Sequence, residues 1–528
     1  MVLISGYWVL KKRVREIIPT DIKATVIYTI IQVVGLMGLY VGIVHLPLVE
    51  VFIIILMRPI VSVFLASVFL EEKINKCSEN ILILSSFVTK PGLKWLENNI
   101  PNNVNVKIAA RWKLSDLVSK ASSIEAYEFC KKLLSINKDN TEALNSMGSI
   151  LENKGYYEEA EKYFLRALEL DNNFILAKIN LTTIYQLLGQ VKQAKRMYDE
   201  IINENPGNVD AIYRQSAIQL TLCHFKEGWE NYEYRWKVPP GNRVKWPIKD
   251  KPIWKGEEKK HVVLWREQGI GDDVIFLGLI PEVRDMCASL SVYIDRRLIP
   301  LCERSMPDIS FFPDEDSLKK VEYDYHLPMG SVPGLIRNDI SDFDKTVRGY
   351  LQADEARVKS IRSELGVEGK KVIGISWKSF SPQNKSRKSI ELSDFRNMFV
   401  DMDIVLVNLQ YGDVDQEIRE FKDQTGIEVL QCSSIDNKED IDGLAALIEV
   451  CDLVVSTSNV TIHLAGALGK ETWVLLPFVS NYWWLLDRKD SIWYPSLSLY
   501  RQVQLNDWNE VFRSVQRDLK ARFVSQGS

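Results

Sequence analysis

The chain has 528 residues, 46% hydrophobic and 26% charged, with 66 Lys+Arg against 70 Asp+Glu and a formal net charge of -4. At roughly 150 residues per domain the length allows about three to four domains, and the composition excludes wholesale disorder, a fibrous chain and a general polyanion-binding surface, so no nucleic-acid partner is expected. Seven scattered cysteines without a Cys-x-x-Cys pair, and five histidines without His-Glu-x-x-His spacing, argue against a disulfide framework or a metal cluster and suit a reducing compartment.

The first apolar stretch, Ala24 to Val44, carries no charge and is about long enough to cross a hydrocarbon core of ~30 Å. After His45-Leu46-Pro47 a second run, Val51 to Leu70, is interrupted only by Arg58-Pro59. Lys11, Lys12, Arg13, Arg15 and Lys23 precede the pair, and Lys73 and Lys76 follow it. The positive-inside rule therefore predicts a transmembrane helical hairpin over residues 1–75, inserted through 24–70. Both its ends would be cytoplasmic, with the catalytic part anchored at the inner, cytoplasmic membrane. Residues 20–74, with Leu46-Pro47, Pro59 and Leu70-Glu71-Glu72, resemble the end of one repeat of an EamA-type drug/metabolite transporter. A transporter needs several more helices around its pathway, so an anchor is the reading and transport the competitor. Residues 76–106 read as a linker.

Residues 107–240 repeat with a period of about 34. Leu144, Gly148, Ala160, Phe164 and Ala167 return as Lys178, Thr182, Ala194, Tyr198 and Ile201, and again as Ile212, Ser216, Gly228, Tyr232 and Arg235. An eroded earlier copy keeps Ala126, Cys130 and Leu133. The pattern resembles the tetratricopeptide repeat, in which small residues let paired helices approach and large ones fill the gap between pairs. Such a solenoid either offers a concave face to a peptide or stabilises the domain after it. Trp229, Tyr232, Tyr234 and Trp236 read as a packed seam into that domain.

From about residue 245 strands and helices alternate. His261–Trp265 is a short apolar strand followed by Arg-Glu-Gln-Gly-Ile-Gly-Asp-Asp (266–273) and a helix. The glycine spacing is not that of a dinucleotide fingerprint. Further strands are predicted at 291–295, 324–335, 372–377, 403–410, 451–459 and 472–477. Residues 241–365 and 366–528 thus read as two Rossmann-like domains facing a cleft, the first on the acceptor side and the second on the donor side. The segments Trp-Arg-Glu-Gln-Gly-Ile-Gly-Asp-Asp, Pro-Met-Gly-Ser-Val-Pro-Gly-Leu, the run 374–392, Asn-Leu-Gln-Tyr-Gly-Asp, 452–477 and 483–502 together resemble bacterial tetratricopeptide-linked glycosyltransferases of GT-B fold, heptosyltransferase-like and more distantly O-GlcNAc-transferase-like.

Glycosyl transfer needs a base for the acceptor hydroxyl, charge stabilisation for the departing diphosphate and a slot for the nucleotide base. The resemblance places the base at Asp272, in a loop formed by Glu267, Gln268, Gly269 and Gly271; a helix cap suits Asp272 equally, and Asp273 and Glu267 are alternatives. The helix opening at Ser458-Asn459-Val460-Thr461-Ile462-His463 offers amides to a diphosphate, with Asn459, Thr461 and His463 as candidate ligands; packing against the sheet is the other reading for His463. Where many relatives have Asp-Thr, this chain has Ser458-Asn459. Lys378, Arg387 and Lys388 can add positive charge, and Leu409 and Gln410 match the place where such enzymes hold the nucleotide base. Gly466 and Gly469 read as packing and C-cap residues. No Asp-x-Asp pair flanked by apolar strands appears in the cleft segments, so neither a metal nor a cofactor is expected. The resemblance implies an inverting transferase with a nucleotide-sugar donor and a glycan, lipid or protein acceptor, which the expected hairpin would tether to the membrane. A non-catalytic scaffold is the competing class.

Overall fold

In the computed structural model the described residues are 123–238, 251–257, 259–379, 389–400 and 402–523, together with the backbone of two short strands, β1 (Asn80–Ile83) and β2 (Asn105–Ile108). The chain divides into two compact units, Met1–Met147 and Gly148–Ser528. In the first, β1, within the expected linker, and β2, which straddles its end at residue 106, pair in parallel ahead of the helix Ser123–Ile136.

The expected architecture is corrected at its N-terminal end. Among the described residues no helix is long and apolar enough to cross a membrane. The longest of them, Asn509–Phe523, has 15 residues and is about 22 Å long, whereas a span needs about 20 apolar residues. Residues 1–75, which carried the hairpin expectation, lie outside the described residues. What stands is a set of repeat helices and two α/β layers of parallel strands.

In the second unit the helices Tyr157–Leu170, Ile175–Leu187, Val191–Glu204, Val209–Thr221 and Phe225–Tyr232 succeed one another through short turns. Burial matches the period. Ala160 and Ala194, at the twentieth repeat position, are 0% exposed; Phe164, Tyr198 and Tyr232, at the twenty-fourth, are 0%, 0% and 4% exposed.

Two all-parallel sheets come after the solenoid. The first comprises β3 (His261–Trp265), β4 (Ser289–Tyr293), β5 (Ser310–Phe312) and β6 (Tyr325–Pro328), in spatial order β5-β4-β3-β6. The second comprises β7 (Val372–Ser376), β8 (Val405–Asn408), β9 (Val429–Leu430), β10 (Leu453–Thr457), β11 (Thr472–Leu476) and β12 (Leu497–Arg501), in order β12-β11-β10-β7-β8-β9. Every residue of β7, β10 and β11 is buried, as expected of parallel strands covered by helices on both faces. The strand order reverses between β3 and β6 in the first sheet and between β7 and β10 in the second. In open α/β sheets ligands bind at such switch points, beyond the carboxyl ends of the strands.

The solenoid is fused to the first sheet by a buried polar clamp. Arg235, 2% exposed, donates from Nε and Nη2 to the two oxygens of Glu267 at 2.8 and 2.7 Å. Gly330 N and Ser331 Oγ complete the site. Trp229, in the last solenoid helix, donates through Nε1 to the carbonyl of Arg337 at 2.8 Å. The expected aromatic seam is present at Trp229 and Tyr232, 3% and 4% exposed. Removing one partner of a buried ion pair strands the other charge in a medium that solvates it poorly. Arg235→Ala is expected to lower unfolding free energy by about 3–5 kcal/mol, and the double variant Arg235→Met/Glu267→Leu to recover most of that loss; urea denaturation of both checks this, and a single variant as stable as the parent would contradict it.

Candidate functional site

The carboxyl ends of β7 and β10 are joined by a dense buried network. Gln410 Oε1 accepts from Ser376 Oγ, Trp377 N and Lys378 N at 2.9, 2.9 and 2.7 Å. Asn459 Nδ2 donates to Ser376 Oγ at 2.7 Å and to the Lys378 carbonyl at 3.1 Å, while its Oδ1 caps the helix Val460–Ala467 by accepting from Thr461 N at 3.0 Å. Asn459 thus ties the two strands of the switch point together and fixes the direction of the helix that starts there. Thr461 is fully buried, and its hydroxyl meets the Leu409 carbonyl at 3.4 Å. Lys378 reaches away from this helix start: its Nζ is 2.8 Å from Glu417 and 3.5 Å from Glu391. Both carboxylates hold the ammonium's pKa above its ordinary value against the cost of burial.

In the first sheet the switch point is filled from within. Glu267, just past β3, accepts from Gly330 N, just past β6, at 3.1 Å while paired with Arg235. It therefore belongs to the solenoid clamp rather than to an open crevice. Gln268 donates through Nε2 to the Tyr232 hydroxyl.

The helix Ile270–Leu277 begins next, and it packs on the helix Val460–Ala467 of the other sheet. The closest approach is at Gly271. A Cβ there would sit 3.2 Å from His463 Cδ2, tighter than side chains normally accept without a shift of the ring. Two helix starts, each with its orphan amides and positive dipole end, are thereby brought together. Asp272 is half-buried at the third position of the first helix, and its Oδ2 accepts from Gly269 N at 3.2 Å. Its charge acts on three phenols, Tyr232, Tyr482 and Tyr494; burial first, and then this carboxylate among other neighbours, holds them all above their ordinary pKa and so neutral. His463 is buried, with Nδ1 3.0 Å from the Tyr494 hydroxyl and its ring stacked on Trp484 at 5.7 Å between centroids. Tyr494 hydrogen-bonds with Tyr350, whose hydroxyl meets the Val274 carbonyl at 2.7 Å.

Behind Asp272 lies a charged cluster at the ends of β3 and β4. Arg266 Nε is 2.9 Å from Asp273 Oδ2, and its Nη1 is 3.1 Å from Asp295 Oδ2. Asp295 also accepts from Arg297 Nε at 2.9 Å; burial opposes its charge, but the Arg297 bonds and the Arg266 charge hold its pKa below the usual carboxylate value. Asp273 goes the other way. Burial pushes it up to about 8, the Asp272 and Asp295 charges add to this, and Arg266 opposes it. Arg297 then crosses to the second sheet's side, donating from Nη1 to the Lys438 carbonyl at 3.0 Å, and Arg304 pairs with Asp442.

Of the residues singled out from the sequence, Gly271 and His463 pack against each other, and Gly269 and Asp272 belong to the same turn as Gly271. Asn459 caps the helix that carries His463. Glu267 and Gln268 face the solenoid. Leu409 and Gln410 are 0% and 1% exposed and act through the network under the helix. Arg387 and Lys388 lie outside the described residues. Gly466 does pack closely, since a Cβ would come within 2.5 Å of the Tyr494 ring, and Gly469 lies just beyond the helix end with φ +72. The sequence reading did not single out Tyr482, Trp484, Tyr494, Ser458 or the Arg266–Asp295–Arg297 cluster as site residues. The aromatic density of 482–494 was the available signal. Asp413-Val414-Asp415 does have Asp-x-Asp spacing after β8, but Asp415 accepts from Gln431 Nε2 at 3.2 Å. Among the described residues no group of three or more His, Cys, Asp or Glu side chains is placed to hold a metal ion.

Residues 141–174 match the tetratricopeptide repeat family. Protein FlbA of Caulobacter vibrioides is 29% identical over 421 residues, which is 75% of this chain and 70% of FlbA. Among solved structures, E. coli ADP-heptose LPS heptosyltransferase II aligns over 51% of this chain and 100% of its own at 14% identity, with a TM-score of 0.38. A mutant O-GlcNAc transferase of Thermobaculum terrenum aligns over 78% of this chain and 90% of its own at 13% identity, with a TM-score of 0.31. The EamA-type resemblance of residues 20–74 finds no support among these matches.

The Asp273 geometry has a pH consequence. A carboxyl whose folded pKa lies above its unfolded value binds more protons when folded, so its contribution to stability is present below about pH 4 and is lost as pH rises through about 8. Asp273→Asn is therefore expected to gain on the parent steadily between pH 4 and pH 8 and to run parallel above it; urea midpoints across that range test this, and a stability difference independent of pH would contradict it.

Proposed function

We propose that the chain is a glycosyltransferase that moves a sugar from a nucleoside-diphosphate donor to a hydroxyl of a glycan, lipid or protein acceptor. The observation that carries the reading is the approach of Gly271 to within contact of the His463 ring. In this reading the contact sets a carboxylate-bearing turn and an Asn459-capped helix start on one crevice between two parallel sheets, each at or beside its switch point. In this reading Asp272 takes the proton of the attacking hydroxyl while the new bond forms at the anomeric carbon. The breaking bond leaves its electrons on the diphosphate, where the amides of the helix start at Val460 meet the charge. Fixed amide dipoles in a water-poor site need no rearrangement as charge develops, which is what makes them effective. The His463 ring, held by Tyr494 and Trp484, packs against the turn at Gly271. The reading requires no metal ion. Inversion at the anomeric carbon is part of the proposal, since one base on the face opposite the leaving group gives single displacement.

A second reading, a non-catalytic binding module, is favoured by one observation. Lys378, Gln410 and Asn459 are all engaged by internal bonds rather than presented to the crevice. A panel of UDP-, GDP-, ADP- and CMP-sugars separates the two, because a scaffold turns over none. With the productive donor, Asp272→Asn is expected to lower kcat by about 10²–10⁴-fold and to leave the calorimetric affinity for the nucleoside diphosphate unchanged. Undiminished turnover would exclude Asp272 as the base.

A further inference from the structure

The segment after β11 joins three parts of the second unit within a single turn. Tyr482 meets two rings of the last solenoid helix edge-on, Trp229 at 6.1 Å and Tyr232 at 6.4 Å between centroids. Trp483 packs between Trp229 at 6.4 Å and Phe276 of the acceptor-side helix at 5.6 Å. Trp484, the next residue, belongs to a different neighbourhood. It is 1% exposed, stacks on His463 and donates through Nε1 to Ser458 Oγ at 3.1 Å. Two consecutive indoles thus serve two different bodies. The backbone that allows this is unusual: Leu485 has φ +46 with ψ -164, a positive-φ conformation that non-glycine residues rarely adopt. It is held there by Arg501, whose Nη2 donates to the carbonyls of Trp484 and Leu485 at 3.0 and 2.9 Å. A turn fixed this tightly transmits displacement rather than absorbing it.

We propose that the Tyr482–Leu485 turn couples the end of the solenoid to the donor site, with Trp484 as the positioning residue that sets Ser458 and His463 at the start of the phosphate-binding helix. The inference rests on reading that helix start as the site for a nucleoside diphosphate. A load on the solenoid that shifts Trp229 changes donor affinity through this turn, and by linkage a bound donor changes the solenoid's affinity for its own partner. Contact along a path is not by itself proof of coupling; a double-mutant cycle is.

The test is calorimetry on the full chain with UDP, GDP, ADP and CDP. Trp484→Phe keeps an aromatic ring on His463 but removes the bond to Ser458, and Trp229→Phe alters the solenoid end, outside the donor site. Each is expected to weaken binding of the diphosphate that the parent prefers by about tenfold, in the range of measured coupling energies, and the double variant is expected to bind no more weakly than Trp484→Phe alone. Tyr156→Ala, on an exposed solenoid turn, is expected to leave the affinity unchanged. Tyr482→Leu provides a second reading of the same path if Trp229→Phe loses its far-ultraviolet dichroism. An unchanged affinity in Trp229→Phe and Tyr482→Leu, or losses that add in the double variant, would overturn the coupling alone. A parent that binds none of the four diphosphates would overturn both the coupling and the donor site beneath it.

Discussion

The packing of Gly271 against the His463 ring is the contact on which the rest of the site depends. It is where a helix following β3 and a helix following β10 meet near their starting ends. Sheet topology supplies the placement, since each helix leaves its sheet at the strand beside the reversal of order. The absence of a side chain at residue 271 supplies the closeness. A methyl group there would press on the imidazole, which is already fixed by Tyr494 and Trp484 and has little room to give.

The solenoid is an integral part of this arrangement. Its terminal Arg235 enters the switch point of the first sheet and neutralises Glu267, and that occupies the position where a single α/β layer would ordinarily take a ligand. Polar links join the two layers, Arg297 to the Lys438 carbonyl and Arg304 to Asp442. Charged links of this kind add little net stability over an apolar substitute, but they penalise any other alignment of the parts.

Much of the fold was legible in the chain. The repeat could be read because helix pairs need small and large residues at fixed spacing, and Ala160, Phe164, Ala194 and Tyr198 are buried as that spacing requires. β3 spans the residues read as a strand, because a run of five apolar or aromatic residues bounded by charge has few other uses. β5 and β9 went unread, since three and two residues carry too little pattern to register, and β12, with five, was also not read as a strand. The hairpin expectation came from apolar run length, the flanking positive charge and a resemblance over residues 20–74, all in a stretch outside the described residues. The strand–turn–helix at 261–277 was legible because turn chemistry is local. The side-chain roles of Gln410, Lys378 and Asn459 were not, because each is decided by a partner 25 or more positions away, such as Ser376 for Asn459 and Glu417 for Lys378. The same holds for Trp484, whose meaning depends on His463 and Ser458 lying beside it.

The most direct measurement is a crystal structure of the full chain with a nucleoside diphosphate bound. The account predicts phosphate oxygens within hydrogen-bond distance of the amides of Val460 and Ile462, with the Asp272 carboxylate opening onto the same crevice. A diphosphate seated elsewhere, or one walled off from Asp272, would contradict it.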